Sequence, residues 1–88
     1  MKGRIWKYSL SVGMNTVRMN EGTTVLHVDN QREDVALWAV SNPFNPPVSR
    51  KFYVTGTDGV VDENMNYIGT VLLANASLVW HVFEVVGE

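Results

Sequence analysis

The sequence predicts an all-β protein, a small antiparallel sandwich or flattened barrel of about seven strands. Apolar residues recur at every second position, the period of a half-buried strand, and no segment has the 3.6-residue period of an amphipathic helix. The alternating segments follow one another at roughly 8–14 residues, a spacing typical of sandwiches and barrels. A chain of 88 residues is long enough for one core, so we expect a single β domain over residues 1–88.

The first two strands show the alternation clearly. In RIWKYSL, Trp6, Tyr8 and Leu10 share one face and Lys7 lies on the other. The segment NTVRMN predicts a second, shorter strand in which Val17 and Met19 point inward while Arg18 points to solvent.

The third strand, TVLHVDN, follows the turn signal EGT. Strict alternation places His27 on the same face as Val25 and Asp29, where a solvated sheet edge is the expected environment. The polar segment NQRED then suits a hairpin connection to the next strand.

Two later strands, DVALWAVSN and SLVWHVFEVV, are apolar on both faces. Between them lie the loop NPFNPP, whose prolines cannot donate to a β ladder, and two further strand segments, RKFYVTGT and YIGTVLLAN. The residues expected in the core or in a subunit interface are Trp6, Tyr8, Leu10, Leu37, Trp38, Phe52, Val54, Ile68, Leu72, Trp80, Val82 and Phe83.

A strand that avoids water on both faces is either central between two layers or covered on its outer face by another subunit. Burying one Val or Phe side chain is worth about 1.5–3 kcal/mol, and a large exposed patch of such residues lowers solubility. Because so little chain is available to cover both sides, we expect a homo-oligomer.

Composition excludes several classes of protein. At 45% hydrophobic and 18% charged residues the chain is globular, and without cysteine it has neither disulfides nor thiolate chemistry. A net charge of −2 argues against general nucleic-acid binding, which depends on an excess of basic residues. No apolar run is long enough for a membrane span and no secretion signal is recognisable, so the cytoplasm is the expected location.

The residue pattern offers little for catalysis. Two widely separated histidines, His27 and His81, are too few to predict a metal site, and no spacing-specific nucleophile or acid–base pair is present. We therefore expect neither an enzyme nor a resident cofactor. His81 is either a structural histidine whose ring nitrogens are hydrogen-bonded or part of a pocket wall.

A basic and aromatic constellation is the strongest binding signal. Guanidinium and ammonium groups bind phosphate, and aromatic faces stack on bases. The alternatives are that the cations only solubilise the outer face and that the aromatic residues anchor a protein partner. The predicted ligand-binding residues are Arg4, Lys7, Arg18, Arg50 and Lys51 for phosphate, Tyr53, Phe44 and Trp38 for stacking, and His81 in the pocket wall.

The segments IWKY (5–8), LWA (37–39), YIGT (67–70) and VWHVFE (79–84) together span most of the chain. On these segments the chain resembles a family of small uncharacterised proteins encoded by tailed phages and prophages. The resemblance implies a phage origin and a setting in the host bacterial cytoplasm, and it supplies no catalytic residues.

Small accessory phage proteins often counter host defence, either by soaking up a nucleotide immune signal or by occupying a host protein. The resemblance thus suggests a homo-oligomeric binding protein that sequesters a small anionic ligand such as a nucleotide. The alternative is a protein-interaction module that blocks a host defence protein or belongs to the virion, using the NPFNPP loop or an exposed sheet edge.

Overall fold

A computed structural model describes residues 3–87, and within them the only regular elements are seven β-strands. The β-branched and aromatic residues of each alternating segment suit a pleated surface that is buried on one side. The strands are β1 (Arg4–Leu10), β2 (Gly13–Asn20), β3 (Thr24–Gln31), β4 (Asp34–Ser41), β5 (Pro47–Gly56), β6 (Met65–Leu73) and β7 (Leu78–Val85).

The strands form two antiparallel sheets. One has three strands in the order β1-β4-β3, and the other has four in the order β2-β5-β7-β6. The sheets do not join into one continuous ladder, so the protein is a sandwich and not a closed barrel. The predicted all-β antiparallel fold is confirmed. The two strands that are apolar on both faces, β4 and β7, both have neighbours on either side.

The hydrophobic core lies between the sheets. Its centre is formed by Leu37, Phe52, Val54 and Val82, all at most 1% exposed. Residues directly opposite in an antiparallel pair share a face, and the pairing of Val54 with Val82 puts both on the inner side of the four-stranded sheet.

Most of the expected core residues lie where the alternation placed them. Leu10, Leu37, Phe52, Val54 and Val82 are buried. Tyr8, Ile68 and Trp80 are partly buried and pack against the core cluster. Trp38 and Phe83 are half-buried on the outer faces of the two sheets, while Trp6 and Leu72 are 48% and 49% exposed.

The prediction that His27 shares a face with Val25 was wrong. A β-bulge between these two residues shifts the register, so that Val25 lies opposite Ala39 on the inner face and His27 lies opposite Trp38 on the outer face. The extra residue of the bulge is Leu26, which breaks strict alternation.

The two long sides of the sandwich differ. On one side the edge strands β3 and β6 pack together, and the Asn30 side-chain amide donates to the Leu72 carbonyl oxygen at 3.3 Å. Gly69 permits this approach, because a Cβ atom there would lie 2.6 Å from a methyl carbon of Val28. On the other side β1 and β2 make no comparable contact, and the sandwich is open there.

Candidate functional site

The nine predicted ligand-binding residues do not converge on one place. The pairing register and the clefts between strands assign them to four regions of the sandwich. Lys7 and Trp38 lie on the outer face of the three-stranded sheet, and Arg50 lies between the sheets. The outer face of the four-stranded sheet carries Lys51, Tyr53 and His81. Arg4 and Phe44 lie at the open side, and Arg18, at an outward position of the edge strand β2, also reaches that side.

The open side carries two adjoining clefts that share Trp6, with volumes of about 480 and 320 Å³. We call them together the Trp6 groove. Its first cleft is lined by Gly3, Arg4, Trp6, Pro43 and Phe44, and its second by Trp6, Tyr8, Arg18, Met19, Asn20 and Pro47. Three predicted residues, Arg4, Arg18 and Phe44, therefore line one groove with an indole ring at its centre.

Trp6 was expected in the core or in a subunit interface and not in a ligand site. It lies opposite Ala39, on the inner side of its sheet, as alternation predicts. It nevertheless remains 48% exposed because β1 is an edge strand on the open side of the sandwich. Alternation reports the face of a strand and not its place in the sheet, so the sequence contained no signal for this exposure.

The NPFNPP loop, residues 42–47, presents Phe44 to solvent from a well-bonded turn. The Asn45 side-chain amide donates to the Glu21 carbonyl oxygen at 2.9 Å, and the Asn20 amide donates to the Asn45 carbonyl oxygen at 2.7 Å. These bonds tie the loop to the turn between β2 and β3. Phe44 is 94% exposed, so the ring is held out by a preorganised backbone.

The groove is electropositive although the protein is acidic overall. Arg4 and Arg18 contribute two guanidinium groups, and none of the described lining residues is an aspartate or glutamate. Neither arginine side chain forms a hydrogen bond or ion pair with the rest of residues 3–87. Both guanidinium groups keep their donors for a ligand.

Arg50 is engaged inside the protein. Its Nε and one terminal nitrogen donate to the two carboxylate oxygens of Glu84 at 2.6 and 2.8 Å, and its other terminal nitrogen donates to the Thr23 carbonyl oxygen. The guanidinium also lies 5.9 Å from the centre of the Phe52 ring. The hydrogen bonds that Arg50 donates to Glu84 raise the pKa of Arg50 above its ordinary value. Because Thr23 directly precedes β3, this pair links the two sheets.

The outer face of the four-stranded sheet is rich in aromatic and hydroxyl side chains; we call it the aromatic face. In the central row, Tyr67 and Phe83 meet edge to face with ring centres 5.6 Å apart. The three rows across the strands are Met14–Tyr53–Phe83–Tyr67, Thr16–Lys51–Val85–Met65, and Thr55–His81–Thr70 on β5, β7 and β6.

Both ring nitrogens of His81 are hydrogen-bonded on the aromatic face. Nε2 lies 3.1 Å from the Thr57 hydroxyl and Nδ1 lies 3.1 Å from the Thr70 hydroxyl, which in turn bonds the Tyr67 hydroxyl at 2.6 Å. Of the two expectations for His81, a structural histidine or part of a pocket wall, these hydrogen bonds match the structural histidine.

The outer face of the three-stranded sheet holds Lys7, whose ammonium donates to the Gln31 side chain, and Trp38, whose ring centre lies 6.3 Å from that of His27. His27 also pairs with Asp29 at 3.2 Å. A backbone hydrogen bond from Asn30 and then the bond with His27 lower the pKa of Asp29.

A family model matches the chain over residues 1–88. The chain belongs to the family described as domain of unknown function DUF7352. The expectation of an uncharacterised family is thereby confirmed. No curated protein and no solved structure matches the chain.

Membership of DUF7352 assigns no role to any residue, so the chemistry must be judged from the site itself. Within residues 3–87 no three His, Cys, Asp or Glu residues gather where they could hold a metal ion. The same part of this DUF7352 chain contains no helix able to cross a membrane. The Trp6 groove, with two arginines and two exposed aromatic rings, is the best candidate functional site.

Proposed function

We propose that this DUF7352 protein is a non-enzymatic binding protein that sequesters a small anionic ligand with an aromatic base, such as a nucleotide immune signal, in the Trp6 groove. It acts as a homo-oligomeric counter-defence factor of phage origin in the host bacterial cytoplasm. The observation that carries the proposal is the meeting of Arg4, Arg18, Trp6 and Phe44 in one groove without a carboxylate.

The side chains of the groove suit both the anionic group and the aromatic base of such a ligand. A hydrogen bond to a charged group contributes about 1.5–3 kcal/mol, and stacking of a base on an aromatic ring contributes about 1–3 kcal/mol. Two arginines and two rings therefore sum to about 5–12 kcal/mol of gross interaction. Only the upper end of that range leaves the roughly −8 kcal/mol of micromolar binding after the smallest association cost, about 4 kcal/mol, is subtracted. The hydrogen-bonded loop beneath Phe44 lowers that entropy cost by preorganisation.

The test is a thermal-shift assay against nucleoside monophosphates, triphosphates and cyclic dinucleotides. A ligand at about 100 times its Kd adds about 2.7 kcal/mol, which raises the Tm of a domain of this size by roughly 10–20 °C. Arg4→Ala and Trp6→Ala should abolish the shift. Arg32→Asn, which removes a cation from an exposed hairpin turn outside the groove, should leave it unchanged. A shift that survives Arg4→Ala, or no shift with any compound, contradicts the proposal.

A second function is favoured by the exposure of Phe44. An exposed aromatic ring on a hydrogen-bonded loop is a common anchor of protein interfaces, so the same loop would let this protein block a host defence protein or join the virion. In that case the nucleotides have no effect, and a host or virion protein is retained by the native chain but not by Phe44→Asp. Val60→Asp, at an exposed position outside the groove, is the matched control.

A further inference from the structure

The aromatic face leaves several apolar and aromatic side chains uncovered. Met14 and Tyr67, at the two edges of its central row, are 53% and 60% exposed, and Leu72 near the end of β6 is 49% exposed. Tyr, Phe, Met and Arg are enriched in protein interfaces and acidic residues are depleted. None of the outward strand positions of this sheet is an aspartate or glutamate, and Lys51 is the only lysine among them.

We propose that the aromatic face packs against the same face of a second copy, about a two-fold axis parallel to the strands. This deepens the oligomer part of the proposed function by naming its interface. Arg18 belongs both to this interface and to the Trp6 groove, whereas Glu63 belongs to the interface alone. Sheets packed face to face keep their strands aligned within about 30°, which this axis allows.

The size of the face suits a dimer. Four strands about 4.8 Å apart and eight residues long cover a flat area of roughly 19 by 27 Å. That is about 510 Å² before side-chain relief is added, roughly two-thirds of the 800 Å² that each partner contributes to a standard interface. The molecule measures 40 × 30 × 16 Å, so this face is one of its two broad sides.

Charge complementarity indicates that the partner is a second copy of the chain, and it also sets the direction of the two-fold axis. Arg18 lies on the edge strand β2, and Glu63 lies two residues before β6, at the same end of the opposite edge. Both side chains are exposed and form no hydrogen bond or ion pair within residues 3–87. An axis parallel to the strands sets β2 over β6 of the second copy with the ends level, so each Arg18 faces the other copy's Glu63.

The same axis makes the central rows complementary, because it exchanges β5 with β7 and β2 with β6. Phe83 then faces Tyr53 of the second copy, and Tyr67 faces Met14. These are aromatic–aromatic and sulfur–aromatic contacts, both favourable beyond the area that they bury. His81 faces Thr55, and hydroxyls and imidazoles can both donate and accept hydrogen bonds.

The test measures mass by analytical ultracentrifugation without ligand. We expect a dimer of twice the 9.9 kDa chain mass. Arg18→Glu and Glu63→Arg each place like charges opposite one another at two sites and should weaken dimerisation at least tenfold. The double variant Arg18→Glu/Glu63→Arg restores opposite charges and should return to within about threefold of the native Kd.

Tyr67→Glu should give a monomer, whereas Ile5→Glu should leave the dimer intact, because Ile5 is equally exposed but lies on the outer face of the other sheet. A native chain that is monomeric at about 100 µM, well above the Kd of specific complexes, overturns the proposal. So does a double variant no tighter than the single ones. Glu63 does not line the Trp6 groove, so loss of the dimer in Glu63→Arg is distinguishable from loss of ligand binding.

Discussion

The ion pair between Arg50 and Glu84 should be the most sensitive polar contact in the sandwich. Its side chains are 22% and 17% exposed, and both carboxylate oxygens accept hydrogen bonds from the guanidinium. We expect Glu84→Gln to destabilise the fold strongly, because the guanidinium keeps its charge and its desolvation but loses its counter-charge.

Breaking a fully buried ion pair costs about 3–5 kcal/mol. Solvent reaches about a fifth of each of these side chains, and Gln retains one acceptor oxygen, so we expect about 2–3 kcal/mol for Glu84→Gln. For a domain of this size that loss corresponds to a fall in Tm of roughly 10–20 °C. The double variant Arg50→Met/Glu84→Leu removes both charges and should lie within about 1 kcal/mol of the native chain.

Urea unfolding followed by tryptophan fluorescence measures these free energies. Glu21→Gln, at an exposed position whose side chain has no partner among the described residues, is the matched control and should change stability by less than about 0.5 kcal/mol. If Glu84→Gln costs no more than this control, Arg50 does not depend on Glu84, and its predicted role in ligand binding becomes the better explanation of its presence.

Three further substitutions should change the same free energy of unfolding. Gly69→Ala should cost about 1–3 kcal/mol, because the new methyl group meets Val28 at 2.6 Å, and Val28→Ala in the same chain should recover part of the loss. Asn75→Gly should stabilise by several tenths of a kcal/mol, since Asn75 has a φ of 56° that glycine adopts without strain; an unchanged midpoint would contradict this. Ser41→Ala should stabilise by about 1 kcal/mol, because the Ser41 hydroxyl is buried without a hydrogen-bond partner among the described residues, and a loss of stability would show that it has one.

The strands and their faces were predictable because alternation is a local property of the chain. The outward position of Arg18 and the inward positions of Phe52 and Val54 follow from residue order alone. The exceptions are His27 and Leu72, whose faces depend on bulges at Leu26 and Ile68. Whether a strand forms a bulge depends on how it must bend to pack against neighbouring strands. Those strands are distant in the sequence, so the pattern within one segment does not predict the bulge.

The candidate site was predictable only in its residue types. Arg4, Arg18 and Phe44 were expected to bind a ligand, and the structure shows that they line one groove. Arg50 was also expected to bind the ligand but lies in an ion pair. Trp6 lines the groove although it was assigned to the core or a subunit interface. These differences have a common cause. Which cations converge depends on which strands are neighbours, and seven strands permit many orders with the same alternation.

By itself, the order of residues determined that this chain forms β-strands, which side of nearly every strand is apolar and where the chain turns, because backbone sterics and the two-residue period act over a few residues at a time. Only the tertiary structure decided that β1 and β2 become separated edges, which exposes Trp6 and opens the groove, and that β2, β5, β7 and β6 align their aromatic side chains on one face. Those outcomes depend on the packing of segments far apart in the chain, where the free energy of the whole core selects one arrangement among many that are locally equivalent.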